Sequence, residues 1–400
     1  MKRLFFSLAT CLTCISLTFV SCSKDDSTSG GNLIPASELA KYPYSSLTPE
    51  QQKEKLSDDA NSFLSQIQDL NKEKSVEVLQ AFSNLLNEDP ATVGRSELRS
   101  ASDIIQINSF YGNFTWQASS RTWTEEQSDH LEFNFPVGSS AGKIVITGVS
   151  SGKNYTYEEY YEYYDYSTGE WLDETETTTY ELPKQLSAKI QLDGSEVGSA
   201  EVNADIVDDQ SVPKSVTACF NLGSYKFAEN YDKASGKATA SLLKGNTSLL
   251  NSIVNVSGNV DDLLNNEVSL SGNFTIQLMD NLAFAGNVDL DNYGKEMNTL
   301  DATYYPYPAP DNYDWSKADE NYYNGAAVLF NKYFDVYLVS VKDKTKIAKL
   351  TRKAIFETSY WDLMYMFQFN DSTEVDSNVY FTDGFGTVMD NWEKFINSLE

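Results

Sequence analysis

The sequence predicts an α+β fold, in which N-terminal helices and a C-terminal helix pack on a curved, mostly antiparallel β meander. Apolar residues recur at helical spacing near both ends of the chain. Between these ends, apolar and polar residues alternate, which is the period of a half-buried strand. In the middle, a Gly-Asn pair recurs at spacings of 13, 14 and 14 residues. Helices at the ends with strands between them favour helices packed on one face of an antiparallel sheet.

The N-terminal helices are expected in a segment covering 48–90. Thr48-Pro49-Glu50-Gln51 combines a Thr N-cap, a proline at the first helical position and a Gln three residues further on. This is the pattern of a capping box. Apolar residues at helical spacing follow from Leu56 to Leu70, and a second helix is expected over 76–87. Both apolar stripes are interpreted as core surfaces, with a partner-helix surface as the alternative.

The β meander is expected over 104–303. Asp193-Gly194 joins two strand-like runs with the residues of a tight hairpin turn. The repeated Gly-Asn pairs are interpreted as turns, because a strand plus its turn takes about this length. A solenoid with the same period is the alternative, but the sequence lacks its fixed ladder positions. The four pairs begin at Gly245, Gly258, Gly272 and Gly286.

An aromatic, proline-containing loop is expected at 304–320, where the sequence reads YYPYPAPDNYDW after Ala302-Thr303. It is interpreted as an interruption between two halves of one body, and 321–400 as the C-terminal α+β segment of that body. Val388, Trp392 and Leu399 fall at helical spacing and predict the C-terminal helix.

The first 21 residues have the pattern of an export signal. Two basic residues precede an apolar run that ends at Val20 and is too short to be a membrane span. Val20-Ser21-Cys22 resembles the end of a bacterial lipobox, and Ser23-Lys24-Asp25-Asp26 is similar to the export tag of surface-exposed lipoproteins in Bacteroidota. This resemblance implies that 1–21 is removed, that Cys22 is acylated, and that the protein is lipid-anchored at the outer membrane. The cell surface is the favoured side, with the periplasm as the alternative.

A flexible tether is expected over 22–47, which is rich in Ser, Gly, Asp and Pro. Removal of the signal would take away Cys11 and Cys14, and lipid would occupy Cys22. Only Cys219 would then remain, in an apolar strand-like run. The sequence therefore predicts a buried structural cysteine and no intramolecular disulfide.

The charge balance excludes nucleic acid as a partner. The chain carries 58 acidic and 30 basic side chains, a net charge of -28. A nucleic-acid-binding protein needs a basic patch that replaces phosphate counterions. The one basic cluster, 342–353, alternates with apolar residues and is interpreted as the solvated side of two strands, with an acidic lipid or acidic partner as the alternative.

Catalysis and cofactor binding find little support in the sequence. The single histidine, His130, has no nucleophile motif to pair with. No zinc-type ligand spacing and no glycine-rich phosphate loop are present, so no cofactor is expected. A glycoside hydrolase remains the weaker alternative, because its two carboxylates need a spacing that sequence does not give.

The most distinctive surface feature is a tyrosine-rich hairpin. Seven tyrosines fall within 155–166, interleaved with acids, and the strand 171–180 is expected to pair with them. Tyrosine gives a large contact area at low entropic cost, so the hairpin is a candidate glycan or protein contact. A solvated, protruding hairpin is the alternative. The candidate ligand-binding residues are Tyr160, Tyr161, Tyr163, Tyr164 and Trp171.

These observations predict a lipid-anchored, non-enzymatic envelope protein with a binding or structural role. The order of elements is also similar to that of periplasmic lipoprotein carriers, which implies a groove for a lipid or other hydrophobic ligand as the alternative. Asp26-Ser27-Thr28 and Asp371-Ser372-Thr373 resemble the O-glycosylation pattern of exported Bacteroidota proteins. Ser27 and Ser372 are therefore candidate modification sites.

Overall fold

The computed structural model describes residues 33–88, 111–165, 169–209, 212–261 and 270–378. The α+β fold is confirmed, with mostly antiparallel strands and five described α-helices. The chain divides into two compact units. Unit 1 contains residues 74–223, and the described part of unit 2 contains 33–73 and 224–378. This division separates the two helices expected within 48–90 and cuts the expected meander at Gly223.

The helices are α1 Ala36–Leu39, α2 Pro49–Gln68, α3 Lys74–Glu88, α4 Leu290–Tyr304 and α5 Trp315–Tyr333, with a 3₁₀ turn at Asp69–Lys72. The strands of unit 1 are β1 Gly112–Gln117, β2 Thr122–Glu126, β3 Leu131–Val137, β4 Ser140–Asp165, β5 Glu170–Leu192, β6 Ser195–Asp205 and β7 Ser215–Leu222. Those of unit 2 are β8 Tyr225–Asp232, β9 Lys237–Lys244, β10 Thr247–Ser257, β11 Ser271–Leu278, β12 Leu282–Asp289, β13 Phe334–Ser340, β14 Thr345–Glu357, β15 Tyr360–Gln368 and β16 Glu374–Asp376.

In unit 1 the strand order is β2-β1-β3-β4-β5-β6-β7. All neighbours are antiparallel except β1 and β3, which are parallel. The Asp193-Gly194 turn is confirmed, since both residues have positive φ, 49° and 78°, and Leu192 pairs with Ser195. Helix α3 packs on this sheet, and its Phe82 lies 4.7 Å from the Phe133 ring and 6.1 Å from that of Trp123. An aromatic core therefore holds unit 1 together.

In unit 2 the strands β8 to β16 follow one another as an antiparallel meander in chain order. Helix α2 begins with the predicted capping box: Thr48 Oγ1 accepts from the Gln51 N–H at 3.4 Å, and Gln51 Oε1 accepts from the Thr48 N–H at 3.0 Å. Ala60 and Phe63 of α2 line a small cavity together with Leu278 and Leu282. The neighbouring residue Ala283 packs instead with α1, so helices lie on both faces of this sheet.

Two of the four Gly-Asn pairs lie within strands rather than at the predicted turns. Gly245 is in a turn, with a φ of 57°, but Gly272 and Gly286 lie within β11 and β12. A Cβ at Gly272 would lie 2.2 Å from the Asn255 carbonyl oxygen, so the neighbouring strand's backbone occupies that space. The asparagines form a ladder, because Asn273 pairs with Asn287 and accepts from Asn255 Nδ2 at 2.9 Å.

The end of the expected meander and the end of the expected loop are both helical. Residues 290–303, placed in the meander, belong to α4, where the Asp289 side chain caps the helix by accepting from the Asn292 N–H at 3.1 Å. The loop expected at 304–320 ends early, because α5 begins at Trp315 and Asp314 caps it by accepting from the Lys317 N–H at 3.0 Å. The helix expected near the C-terminus lies outside the described residues.

Within the segment expected as a flexible tether, 22–47, the described part 33–47 packs on the rest of unit 2. Leu39 of α1 is fully buried against Ala283 and Val339. The Ser45 N–H donates to the Lys346 carbonyl at 2.8 Å, and the Lys346 ammonium lies 4.7 Å from the Tyr44 ring centre. These contacts dock the segment on unit 2 despite its loop-like composition.

Cys219 is buried as predicted, with 1% exposure in β7. Cys219 is disulfide-bonded in the 400-residue chain, whereas the prediction of no intramolecular disulfide applies to a chain that has lost Cys11 and Cys14 and carries lipid on Cys22, and for that chain it stays a prediction.

Candidate functional site

The tyrosine-rich hairpin extends beyond the sheet of unit 1 as a two-stranded arm. Strand β3 pairs with β4 only as far as Ile146, and β6 pairs with β5 only from Gln185 onward. Beyond these points β4 and β5 pair with each other, from Lys153 opposite Leu182 to Asp165 opposite Glu170. We call residues 153–165 and 170–182 the arm. Its 13 residue pairs correspond to a length of about 40 Å.

A bulge marks the base of the arm. The register of β4 against β5 shifts between Val149 and Lys153, and Gly152 has a φ of 70°. Ser151 Oγ donates to the Leu182 carbonyl at 2.6 Å, and the Asn154 N–H donates to Asp209 Oδ1 at 2.9 Å. Bulges of this kind redirect a strand and increase its local twist. They therefore set the direction in which the arm leaves the sheet.

The arm exposes its aromatic side chains wherever they are described. Tyr160 is 58% exposed, Tyr163 44%, Tyr164 39% and Trp171 69%. Tyr164 and Trp171 are direct cross-strand partners, with ring centres 5.5 Å apart in an edge-to-face arrangement. Such pairs stabilise a hairpin that has no core beneath it. Tyr161 pairs through its backbone with Glu174, and its side chain lies outside the described part of the structure.

The arm is also strongly acidic. Residues 153–182 carry nine acids and one base. The register places acids directly opposite acids at Glu159–Glu176, Glu162–Asp173 and Asp165–Glu170. Like charges in directly opposite positions destabilise a hairpin. The register therefore concentrates negative charge along the arm.

His130 belongs to an ionic network rather than to a catalytic relay. Both Asp129 Oδ1, at 2.7 Å, and Ser128 Oγ, at 3.2 Å, contact the same ring nitrogen, Nδ1. A relay needs the nucleophile and the acid on opposite nitrogens. The hydrogen bond with Asp129 raises the pKa of His130, and Glu132 lies 3.4 Å from Nε2. Lys143 also pairs with Glu132, at 2.8 Å.

A second polar cluster, which the sequence did not single out, joins Lys55 of α2 to Ser340 of β13. Lys55 Nζ donates to Ser340 Oγ at 2.9 Å, whereas a lysine that activates a serine must accept the hydroxyl proton. Moreover, Ser340 is 1% exposed, and Lys55 is also ion-paired with Asp343. Burial lowers the pKa of Lys55. A substrate has no access to this hydroxyl, so the cluster anchors α2 to the sheet.

Neither of the two best-formed concavities among the described residues has the volume and apolar lining of a lipid pocket. One holds about 10 Å³ beneath α2. The other holds about 270 Å³ on the polar face of unit 1 and is lined mainly by polar residues such as Lys189, Glu201 and Asn221. Drug-sized ligands occupy mostly apolar sites of roughly 300–1,000 Å³. The hydrophobic-carrier alternative gains no support from these two sites.

Within the described ranges, no three His, Cys, Asp or Glu side chains are placed to hold one metal ion. The same ranges contain no helix with the length and apolar character needed to cross a membrane. Of the candidate modification sites, Ser372 lies in an exposed turn before β16, with Asp371 Oδ1 accepting from the Thr373 N–H at 2.9 Å. Ser27 and the lipidation candidate Cys22 lie outside the described residues.

Comparison of the chain with protein families, with curated proteins and with solved structures finds no match in any of the three.

Proposed function

We propose that this protein is a lipid-anchored, non-enzymatic binding protein of the cell envelope, and that the arm is its contact surface. The observation that carries the proposal is the exposure of Tyr160, Tyr163, Tyr164 and Trp171 on a two-stranded extension. Because side chains alternate along a strand, Tyr160, Tyr164 and Trp171 share one face of the arm and Tyr163 lies on the other. Exposed aromatic surface of this kind is a mark of interaction sites. Tyr and Trp are also the residues that dominate binding energy at interfaces.

The proposed anchor is acylation of Cys22. Each buried CH₂ contributes about 0.8 kcal/mol, and two or more chains make attachment stable. Because the described body begins at Leu33, the chain between it and Cys22 reaches at most about 40 Å when fully extended. The anchored protein would then work close to the outer-membrane surface.

The arm fits a protein surface with positive charge better than a neutral glycan. Its outer strand edges can add to another sheet, a common mode of peptide recognition. Its carboxylates would steer a basic partner and would suppress pairing between copies of the arm. A glycan contact would use the same rings without a role for the opposed acids.

The proposal is tested by binding to cell envelopes isolated from the native host. The probe is the chain from residue 22 onward with Cys22→Ala, which removes the lipid. A Tyr160→Ser/Trp171→Ser variant is expected to bind at least about tenfold more weakly, since each such side chain typically contributes 1–2 kcal/mol or more. Retention is measured as an apparent Kd by sedimentation at physiological salt.

The matched control is Phe356→Ser/Tyr360→Ser, which removes two rings that are each 55% exposed on the β14–β15 hairpin. This variant should bind as the unsubstituted chain does. Trypsin treatment of the envelopes should abolish binding, and periodate oxidation should leave it unchanged. Loss on periodate treatment would make the contact a glycan, and equal binding by both double variants would reject the arm as the contact surface.

A further inference from the structure

A second aromatic surface lies in unit 2, where α4 turns into α5. Its rings are those of Tyr305, Tyr313, Trp315 and Tyr322, which we call the ring cluster. The Tyr305 and Trp315 rings are nearly parallel, at 15° with centres 6.3 Å apart. Tyr313 meets Trp315 edge-on at 4.9 Å, and Tyr322 lies 4.9 Å from Tyr305. The fold thus gathers rings from the end of one helix, the turn and the next helix.

The ring cluster is held in place by hydrogen bonds. Tyr305 Oη donates to Asp319 Oδ1 at 2.8 Å, and Tyr313 Oη donates to the Tyr304 carbonyl at 3.1 Å. The side-chain cap of Asp314 fixes the start of α5 immediately before Trp315. A surface whose rings are already positioned loses little conformational entropy when it binds.

The ring cluster is open to solvent. Trp315 is 49% exposed and Tyr305 36% exposed, and the adjacent Tyr307 is fully exposed. Large exposed rings fixed on a turn are not needed for the packing of α4 against α5, which uses other residues such as Leu300 beside Gly325. Their exposure therefore favours contact with another molecule.

Charge decides which ligand suits these rings. Residues 301–323 contain five acids and one base, Lys317, and Lys317 pairs with Glu320 at 2.7 Å. Aromatic faces carry a negative quadrupole that attracts lysine and guanidinium groups, most strongly on Trp. The carboxylates bonded to the tyrosine hydroxyls add electron density to those rings and negative potential around them.

We propose that the ring cluster binds arginine or lysine side chains of a basic polypeptide, with a cation placed against Tyr305 and Trp315. This site lies in a different unit from the arm and does not depend on it. It would give the protein a second contact for a basic partner. A neutral sugar could stack on the same rings but would gain nothing from the acids around them.

The test is ¹⁹F NMR of the intact chain labelled with 5-fluorotryptophan, titrated with an acetylated arginine tripeptide amide in 150 mM salt. The Trp315 resonance, assigned with Trp315→Phe, is expected to shift and saturate, whereas the Trp361 resonance stays in place. A citrulline tripeptide, which keeps the shape and removes the charge, should leave Trp315 unchanged. Tyr305→Leu should raise the Kd about tenfold.

The matched control is Tyr360→Leu, which removes an exposed ring of unit 2 outside the cluster and should preserve the affinity. The arm variant Tyr160→Ser/Trp171→Ser should also preserve the shift at Trp315, so that failure of either site is recognised separately. A non-saturating shift, an equal response to citrulline, or an unchanged Kd in Tyr305→Leu would each overturn the proposal.

Discussion

Replacing Cys22 by alanine is expected to move the protein from the membrane fraction entirely into the soluble fraction. The physical reason is that acyl chains on Cys22 would supply the attachment, at about 0.8 kcal/mol per buried CH₂. No helix among the described residues offers another way of crossing a bilayer. The measurement is detergent-free fractionation of native-host cells expressing each form, followed by immunoblotting, with ³H-palmitate labelling in parallel.

Ser21→Ala is the matched control, because it makes an equally small change beside Cys22, keeps a small residue before it and leaves Cys22 in place. That variant should incorporate palmitate and stay with membranes. Membrane retention of Cys22→Ala, or an absence of label in the unsubstituted chain, would remove the anchor from the account. The inferred location would then lose its basis.

Replacing Glu229 by glutamine is expected to raise the free energy of unfolding at pH 8 by as much as about 4 kcal/mol. Glu229 lies in the middle of β8 opposite Ala240, and burial raises its pKa from 4.5 to about 8. Below pH 4.5 the carboxyl is protonated in both states and costs nothing. Above that pH the unfolded chain ionises first, so the carboxyl lowers stability progressively until about pH 8, where the loss levels off.

The measurement is urea denaturation of both forms between pH 5 and pH 9. The unsubstituted chain should lose stability with rising pH relative to Glu229→Gln, by about 1.4 kcal/mol per unit at most. Glu54→Gln, an exposed position of α2 in the same unit, serves as the control and should parallel the unsubstituted chain. Parallel curves for Glu229→Gln would show that the carboxyl is solvated in the folded protein.

Local sequence signals predicted the elements that are specified locally. The capping box at Thr48 and the Asp193-Gly194 turn depend on neighbouring residues alone, and both are confirmed. Two of the four Gly-Asn pairs failed as turn signals, because Gly272 and Gly286 lie within strands and pack against the backbone of a neighbouring strand. Their missing side chains make room for the backbones at Asn255 and Asp335. The need for glycine at these two positions comes from tertiary contact, and the local sequence pattern does not indicate it.

The same limit applies to the candidate surfaces. The density of tyrosine and acid predicted an exposed hairpin, and the described side chains of the arm are exposed. The length of the arm follows only from the strand register, because composition does not predict where β3 and β6 stop pairing with β4 and β5. The sequence does not predict the ring cluster, because the pattern of 304–320 indicates a loop. Helix α5 begins at Trp315, and its first two turns place the Tyr322 ring against the Tyr305 ring.

The central claim is that the arm is where this protein meets its partner, and photocrosslinking in living cells tests it most directly. The photoreactive residue p-benzoylphenylalanine replaces Tyr160 in the lipidated chain, and in a parallel chain it replaces Phe356 on the β14–β15 hairpin. Irradiation is expected to give a discrete, trypsin-sensitive adduct from Tyr160 and none from Phe356. No adduct at Tyr160, or the same adducts from both positions, would contradict the claim.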